Sequence, residues 1–138
     1  MPHSRGYDLA QLGGGVSIDP GTNTDAGTDV DGLWVDCGDV QGPVQAVCSV
    51  GDATGSPTAQ SINFELWEAD DSSGTNEQKV SNQSEVTLTA DATQGILSGH
   101  STKPYCAVKV IAADSSFTGG TSPTIDTGAN ILFEQRQS

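Results

Sequence analysis

The ten residues from Ala59 to Glu68 constrain the fold of this chain more than any other stretch. Apolar and polar side chains alternate through Ser61-Ile62-Asn63-Phe64-Glu65-Leu66, which is typical of a strand with one buried face. The runs Gly55-Ser56-Pro57-Thr58 before it and Asp70-Asp71-Ser72-Ser73-Gly74 after it are rich in turn formers. We therefore predict a half-buried strand bounded by two exposed turns.

Shorter alternating segments recur along the chain, whereas no helical period of useful length does. Gly, Ser and Thr make up 46 of the 138 residues and only 34% are hydrophobic, which favours a thin two-layer core. The sequence thus predicts an all-β fold, with residues 16–138 forming one small β-sandwich that is Ig-like or jelly-roll-like. The other predicted strands are Val16–Asp19, Leu33–Cys37, Val44–Val50, Val86–Ala90, Ile96–Leu97, Tyr105–Ala112 and Ala129–Gln135.

Residues 1–15 have no strand period, and their few apolar side chains, Tyr7, Leu9 and Leu12, are scattered. We interpret this segment as an extended N-terminal arm whose apolar residues contact a partner. The alternative is a loose tail, since chain ends of such composition are often disordered.

A weak internal repeat divides the chain. In the first copy Cys48-Ser49-Val50 leads through Ser56-Pro57-Thr58 to a strand that ends in Phe64-Glu65. The corresponding runs of the second copy are Cys106-Ala107-Val108, Ser122-Pro123-Thr124 and Phe133-Glu134. We expect two hairpins packed face to face as the sandwich core. Chance similarity in a chain so rich in Ser, Thr and Gly is the alternative.

The charge of the chain excludes two classes of partner. The formal net charge is −13, so the surface repels nucleic acid phosphates and anionic lipid. No apolar run approaches the length of a membrane span, and the N-terminal residues lack the apolar core of an export signal. Because the three cysteines are an odd number, we expect reduced thiols in a product of the cytoplasm.

No pattern of residues predicts catalysis or a cofactor. His3 lies in the arm and His100 in what reads as a turn, and neither belongs to a nucleophile–base motif. Glu65 and Glu68 flank Trp67 as a glycosidase carboxylate pair would, but their opposite strand parity places them on opposite faces. We therefore expect a protein that is not an enzyme.

Asp25, Asp29 and Asp31 form an acidic loop, but the spacing of an EF-hand calcium loop is not met. The cysteines likewise lack zinc-ligand spacing. We expect no metal site, and binding of calcium by this loop in another geometry remains the open alternative.

Cys48 and Cys106 flank Trp67 as in immunoglobulin domains, yet Pro104 occupies the position of the tyrosine corner. We interpret both cysteines as small buried hydrophobic residues, with a disulfide as the alternative. Trp67 has outward parity at a strand end, and exposed aromatic residues of this kind are enriched at interfaces. Trp67 is accordingly a predicted interface residue, and the alternative is that it caps the open end of the sandwich.

Three blocks of the sequence resemble a group of small virion proteins of tailed bacteriophages. In that group a GTSPT, strand, LQESDDG block precedes a YVRV, GGTSP block, and the similarity covers roughly residues 28–135. The three matching blocks here are Gly55-Ser56-Pro57-Thr58 followed by Phe64-Glu65-Leu66-Trp67-Glu68-Ala69-Asp70-Asp71, then Tyr105-Cys106-Ala107-Val108-Lys109-Val110, and lastly Gly119-Gly120-Thr121-Ser122-Pro123-Thr124. This chain departs from the group in having Trp67 in place of Gln and in its longer N-terminal arm.

The resemblance implies a capsid decoration or cement protein that binds the outside of a phage head, with no catalytic residues. Its partner would be the major capsid protein, and a homo-oligomer such as a trimer is expected at the symmetry points of a shell. The location would be the virion surface after synthesis in the host cytoplasm. The alternatives are a carbohydrate-binding or adhesin-like module and another virion component of the tail or connector.

Overall fold

The computed structural model describes residues 7–11, 16–18, 30–31, 34–38 and 42–134, with side chains described for 34–38, 42–111 and 113–131. Twelve strands lie in these ranges, and the described part contains no α-helix, only a 3-10 turn at Ala112–Asp114. The strands are β1 (Tyr7–Gln11), β2 (Val16–Ile18), β3 (Val30–Asp31), β4 (Val35–Asp36), β5 (Gly42–Val50), β6 (Ala59–Ala69), β7 (Gln78–Lys79), β8 (Val86–Leu88), β9 (Gln94–Ser101), β10 (Tyr105–Val110), β11 (Ser116–Thr118) and β12 (Ile125–Glu134).

The strands form two antiparallel sheets. Sheet one has the order β1-β12-β5-β9, and β2 also pairs with β12. Sheet two has the order β11-β6-β10-β3, and the short strands β4, β7 and β8 pair with β10 or β6. The all-β sandwich predicted from the alternating pattern is confirmed.

The core lies between the two sheets and is built from the inward positions that the alternation predicted. From sheet two, Ile62, Phe64 and Leu66 are fully buried, and from sheet one Ala46 and Leu97 face them. Alternation places these side chains on one face of each strand, so their burial drives the two sheets together. The core is thin because many of its members are small residues.

The two copies of the internal repeat are arches and not hairpins, so the hairpin prediction is wrong. In the first copy the chain leaves β5 in sheet one and enters β6 in sheet two. In the second copy it leaves β10 in sheet two and reaches β12 in sheet one after the short β11. Each copy therefore connects the two sheets, and the two connections run in opposite directions.

The loops of the two arches pack against each other. Backbone hydrogen bonds join Thr121 N to Gly55 O at 2.9 Å and Thr54 N to Thr124 O at 2.7 Å. Ser56 and Ser122 occupy matching places before proline, and both have positive φ, 55° and 44°. A Cβ on Gly120, which has φ +82°, would come within 2.6 Å of Gly55 O, so only glycine permits this approach. We name this pair of loops the arch lock.

Part of the predicted N-terminal arm forms an edge strand of the chain's own sheet. β1 pairs with β12, with Tyr7 opposite Glu134 and Leu9 opposite Leu132. β2 then continues along the same side of β12, with Val16 opposite Thr127. Leu12 and residues 1–6 of the arm lie outside the described residues.

Candidate functional site

The outer face of sheet two carries a cluster of charged and aromatic side chains around Lys109. The Lys109 ammonium lies 4.5 Å from the centre of the Trp67 ring and 5.9 Å from that of Trp34. It also contacts both carboxylate oxygens of Glu77, at 3.0 and 3.1 Å. Because Lys109 is only 6% exposed, these cation–π and ionic contacts form in a largely desolvated place.

Glu65 extends this cluster on the neighbouring strand. Its carboxylate lies 2.9 Å from Lys79 Nζ and accepts a hydrogen bond from Trp67 Nε1 at 3.2 Å. Glu85 pairs with the same ammonium, and hydrogen bonding to Glu85 and then to Glu65 raises the pKa of Lys79. Glu65 is 5% exposed, so its charge is balanced within the protein and is not presented to a ligand.

Trp67 has the outward parity that its sequence position predicted, but it is half-buried and not exposed. Lys109 covers its ring because β10 pairs directly with β6 in this region, with Ala107 opposite Trp67. Trp34 is also half-buried, and its ring lies against Gly74 of the loop after β6. The two tryptophans therefore do not form the open aromatic platform that a carbohydrate-binding module requires.

Glu68 lies on the opposite face from Glu65, as strand parity predicted. Its carboxylate accepts hydrogen bonds from the Thr102 amide at 2.7 Å, from Thr102 Oγ1 at 2.8 Å and from Gln78 Nε2 at 2.6 Å. Burial alone would raise the pKa of Glu68, but these hydrogen bonds outweigh it and hold the pKa below its usual value. Glu68 thus ties the end of β6 to the loop after β9.

His100 lies within β9 and not in a turn, so that element of the prediction is wrong. It is exposed on the outer face of sheet one, opposite Pro43 of β5. His3 lies outside the described residues.

The three cysteines are buried, which confirms Cys48 and Cys106 as small core residues. Cys48 is a free thiol, so the alternative Cys48–Cys106 disulfide is not formed. Burial raises the pKa of Cys48 to about 12, which makes it unreactive at neutral pH.

No group of three or more metal-binding side chains occurs among the residues that the structure describes. Asp25 and Asp29 lie outside those residues, and only the backbone of Asp31 is described, where it pairs with Lys109. The question of calcium at the loop of Asp25, Asp29 and Asp31 therefore stays open.

A shallow polar groove of about 390 Å³ lies beside the first arch loop. Its carboxylate, Asp91, accepts a hydrogen bond from the Ala53 amide and so stabilises the loop. The Gln60 side-chain nitrogen is buried there without a protein partner. The groove is lined by Ala53, Ser56, Pro57, Thr58, Ala59, Gln60, Thr89, Ala90 and Asp91, a set that lacks both a nucleophile–base pair and an aromatic wall.

The outer face of sheet one differs from that of sheet two in having no charged side chain in its middle. Outward positions of β5, β9 and the central part of β12 are exposed or half-buried and carry amide, hydroxyl, imidazole or aliphatic groups. We name this surface the neutral face: Pro43, Gln45, Val47, Ser49, Gln94, Ile96, Ser98, His100, Gly128 and Asn130. Asp126, at the start of β12, is the one charged side chain among those described in sheet one.

Ile96 is the large hydrophobic residue that stands out on this face. It is 62% exposed, the one exposed large hydrophobic side chain among those described. The sequence predicted only the two-residue strand Ile96–Leu97 here, because Gly95 and Gly99 interrupt the alternation. The neutral face was therefore missed, although the lack of any charged residue in Gly42–Val50 and Gln94–Ser101 was a visible signal.

Comparison of the chain with models of known protein families gives no match, and comparison with curated protein sequences gives none either. Within the described ranges, no helix is long and apolar enough to cross a membrane.

Proposed function

We propose that this protein is a non-catalytic virion protein, a decoration or cement protein that binds the outside of a tailed-phage head and stabilises it. The observation that carries the proposal is the position in the fold of the sequence blocks that resemble the phage virion proteins. The two Ser-Pro-Thr blocks meet in the arch lock, and the two strand blocks pair as β6 and β10. These motifs are far apart in sequence, 66 residues for Ser56 and Ser122 and 40 for Trp67 and Ala107, yet they form one structural unit, which supports a shared fold over chance similarity of composition.

The chemistry of the described residues agrees with a passive role. Lys109, Glu65 and Glu68 are each satisfied by partners within the chain, and the buried Cys48 is unreactive. Binding to the assembled shell but not to its separate subunits would stabilise the shell by mass action. The acidic loops would face water in this arrangement.

The shell contact is assigned to the N-terminal arm and the adjoining end of the sandwich, with the major capsid protein as partner. Tyr7 and Leu9 lie in β1 at the edge of sheet one, where a neighbouring subunit can reach them. Leu12 and Trp67 stay in the proposed interface as well, although the Trp67 ring offers only its uncovered part. Assembly of three copies at a symmetry point is the expected arrangement on a shell.

The test is the binding of purified protein to heads of the phage that encodes it, prepared without this protein. We expect co-sedimentation with heads, none with unassembled capsid subunits, and a higher temperature of head disruption. A variant lacking residues 1–15 should occupy fewer sites, and unchanged occupancy would remove the role of the arm. Failure of the full-length chain to bind heads would overturn the proposal, and its presence in isolated tails would point to the tail or connector alternative.

A further inference from the structure

We infer that the neutral face is the docking surface for a second copy of this chain, which stacks face to face on it across a twofold axis. This inference concerns self-association and does not depend on the proposed phage function. It rests on the distribution of charge over the described side chains, on the exposure of Ile96 and on the size of the face.

Charge decides which surfaces of two such molecules can approach each other. With a net charge of −13, contact between most surfaces of two copies brings carboxylates together. The neutral face has no carboxylate or ammonium group on β5, on β9 or at Gly128 and Asn130. Two copies can therefore meet there without placing like charges in contact.

Shape and polarity also suit a copy of the same surface. In a twofold interface the same patch serves both partners, so it must complement itself. Amide and hydroxyl groups such as Gln45, Ser98 and Asn130 both donate and accept hydrogen bonds, and they can pair with their own kind. Ile96 supplies an apolar contact that is exposed to water in the single chain.

The size of the face sets the expected strength. The face comprises β5 and β9, with roughly eight residues each, and about four residues of β12, and at about 4.8 Å between strands and about 3.4 Å per residue it covers on the order of 300 Å² per copy. A standard stable interface buries about 800 Å² per partner, so the pair should be weak, with a dissociation constant in the micromolar range or above. Such a contact becomes effective when the copies are held near each other.

A twofold dimer predicts a response to charged residues at position 96 that binding to a different partner would not show. Val47 lies in the middle of the face, one strand from Ile96. An axis near Val47 places the two residue-96 positions about 10 Å apart, within the range of electrostatic repulsion at ordinary salt. A charge of either sign at position 96 should then weaken association, and opposite charges on the two copies should restore it.

The experiment is sedimentation equilibrium of the full chain from about 5 to about 500 µM, the range in which an interface of this size is populated. We expect a monomer–dimer equilibrium for the wild type. Ile96→Glu and Ile96→Lys should each weaken it about tenfold, and an equimolar mixture of the two should form heterodimers at least as strong as the wild-type dimer. Thr118→Glu and Thr118→Lys, on the exposed strand β11 of sheet two, serve as matched controls and should leave the equilibrium unchanged.

Several results would overturn the inference. A wild type that stays monomeric throughout the range excludes self-docking. If every Ile96 variant still forms dimers, the interface lies elsewhere on the protein. If Ile96→Glu and Ile96→Lys change the association in opposite directions and mixing them does not restore it, the neutral face does not bind a second neutral face. Urea unfolding of each variant, expected to match the wild type because Ile96 is exposed, separates loss of association from loss of folding.

Discussion

The two outer faces of the sandwich are built by the same alternation of side chains, yet one is closed and the other open. On sheet two, Glu65 and Lys109 are almost fully buried beneath neighbouring tryptophan and lysine side chains. On sheet one, the corresponding outward positions of β5 and β9 stay exposed or half-buried. A face with many charges has been closed by internal pairing, whereas a face without charges has been left available.

The difference lies in the segments that follow the strands. After β6 the chain turns back through Asp70–Lys79, and Glu77 and Lys79 of that segment reach the charged groups of β6 and β10. No described segment lies over β5 and β9 in the same way. The closed face therefore contributes to stability, whereas the open face is available for the self-association proposed above.

The largest test of this comparison removes the central cation of the closed face. Lys109→Ala should lower the free energy of unfolding by about 2–3 kcal/mol, because the Trp67 and Trp34 rings lose the cation and the aliphatic chain that pack on them and Glu77 loses its counter-ion. The measurement is the urea midpoint at neutral pH. Lys103→Ala is the matched control, since Lys103 forms a more exposed ion pair with Asp70 and its loss should cost much less.

Equal effects of the two lysine substitutions would contradict the closed-face description. They would mean that Lys109 is hydrated and that its contacts with Trp67 and Glu77 add little. A second variant, Lys109→Met, keeps the packing against the rings and should be less destabilising than alanine.

The local alternation of apolar and polar residues predicted the strands of the closed face well, but it did not predict which side chains cover this face. The predicted strand from Ala59 to Glu68 is Ala59–Ala69 in the structure, with Ile62, Phe64 and Leu66 inward. Strand parity also placed Trp67 outward, which is confirmed. Lys109 lies over the Trp67 ring because of the register in which β10 pairs with β6. These strands are about 40 residues apart in sequence, and local alternation does not specify their register.

Other parts of the fold depended on information that alternation lacks. Gly95 faces inward, where a Cβ would come within 2.6 Å of Val86 Cγ1, so the close approach of β9 to sheet two interrupts its sequence pattern. β11 is only three residues long and is a strand because Phe117 is buried and its backbone pairs with β6. The repeat was visible, but a strand–loop–strand pattern does not distinguish a hairpin from an arch.

The second test uses acid, because the described carboxylates with lowered pKa lie in or beside sheet two. The pKa values of Glu68, Asp70, Asp71 and Glu85 are lowered, mainly by hydrogen bonds or ion pairs. A lowered pKa stabilises the fold above the unfolded value, near 4.3 for Glu, and this stability is lost as the pH falls through the folded value. We therefore expect the unfolding temperature to drop between about pH 5 and pH 3.

Glu68→Gln isolates the buried member of this set. At pH 7 the substitution should cost about 1–2 kcal/mol, because charge-assisted hydrogen bonds from Thr102 and Gln78 are replaced by weaker ones. The difference in unfolding free energy between variant and wild type should begin to narrow below about pH 4.3, where the unfolded carboxyl gains a proton, and should close as the pH falls through the lower pKa of folded Glu68. The control Glu85→Gln, at an exposed position, should change the free energy of unfolding less. If the effect of Glu68→Gln on that free energy does not depend on pH, Glu68 is not ionised in the folded protein.

The smallest expected effect is also the most direct test of whether the neutral face is open. Ile62→Val removes one methylene group from the core and should cost about 1 kcal/mol. Ile96→Val makes the same change at a side chain that is 62% exposed and should cost a few tenths of a kcal/mol at most. Urea unfolding at about 0.5 µM, below the expected dimer range, compares the two without a contribution from association. If Ile96→Val costs as much as Ile62→Val, a part of the chain covers Ile96 in solution, and the contrast between a closed and an open face disappears.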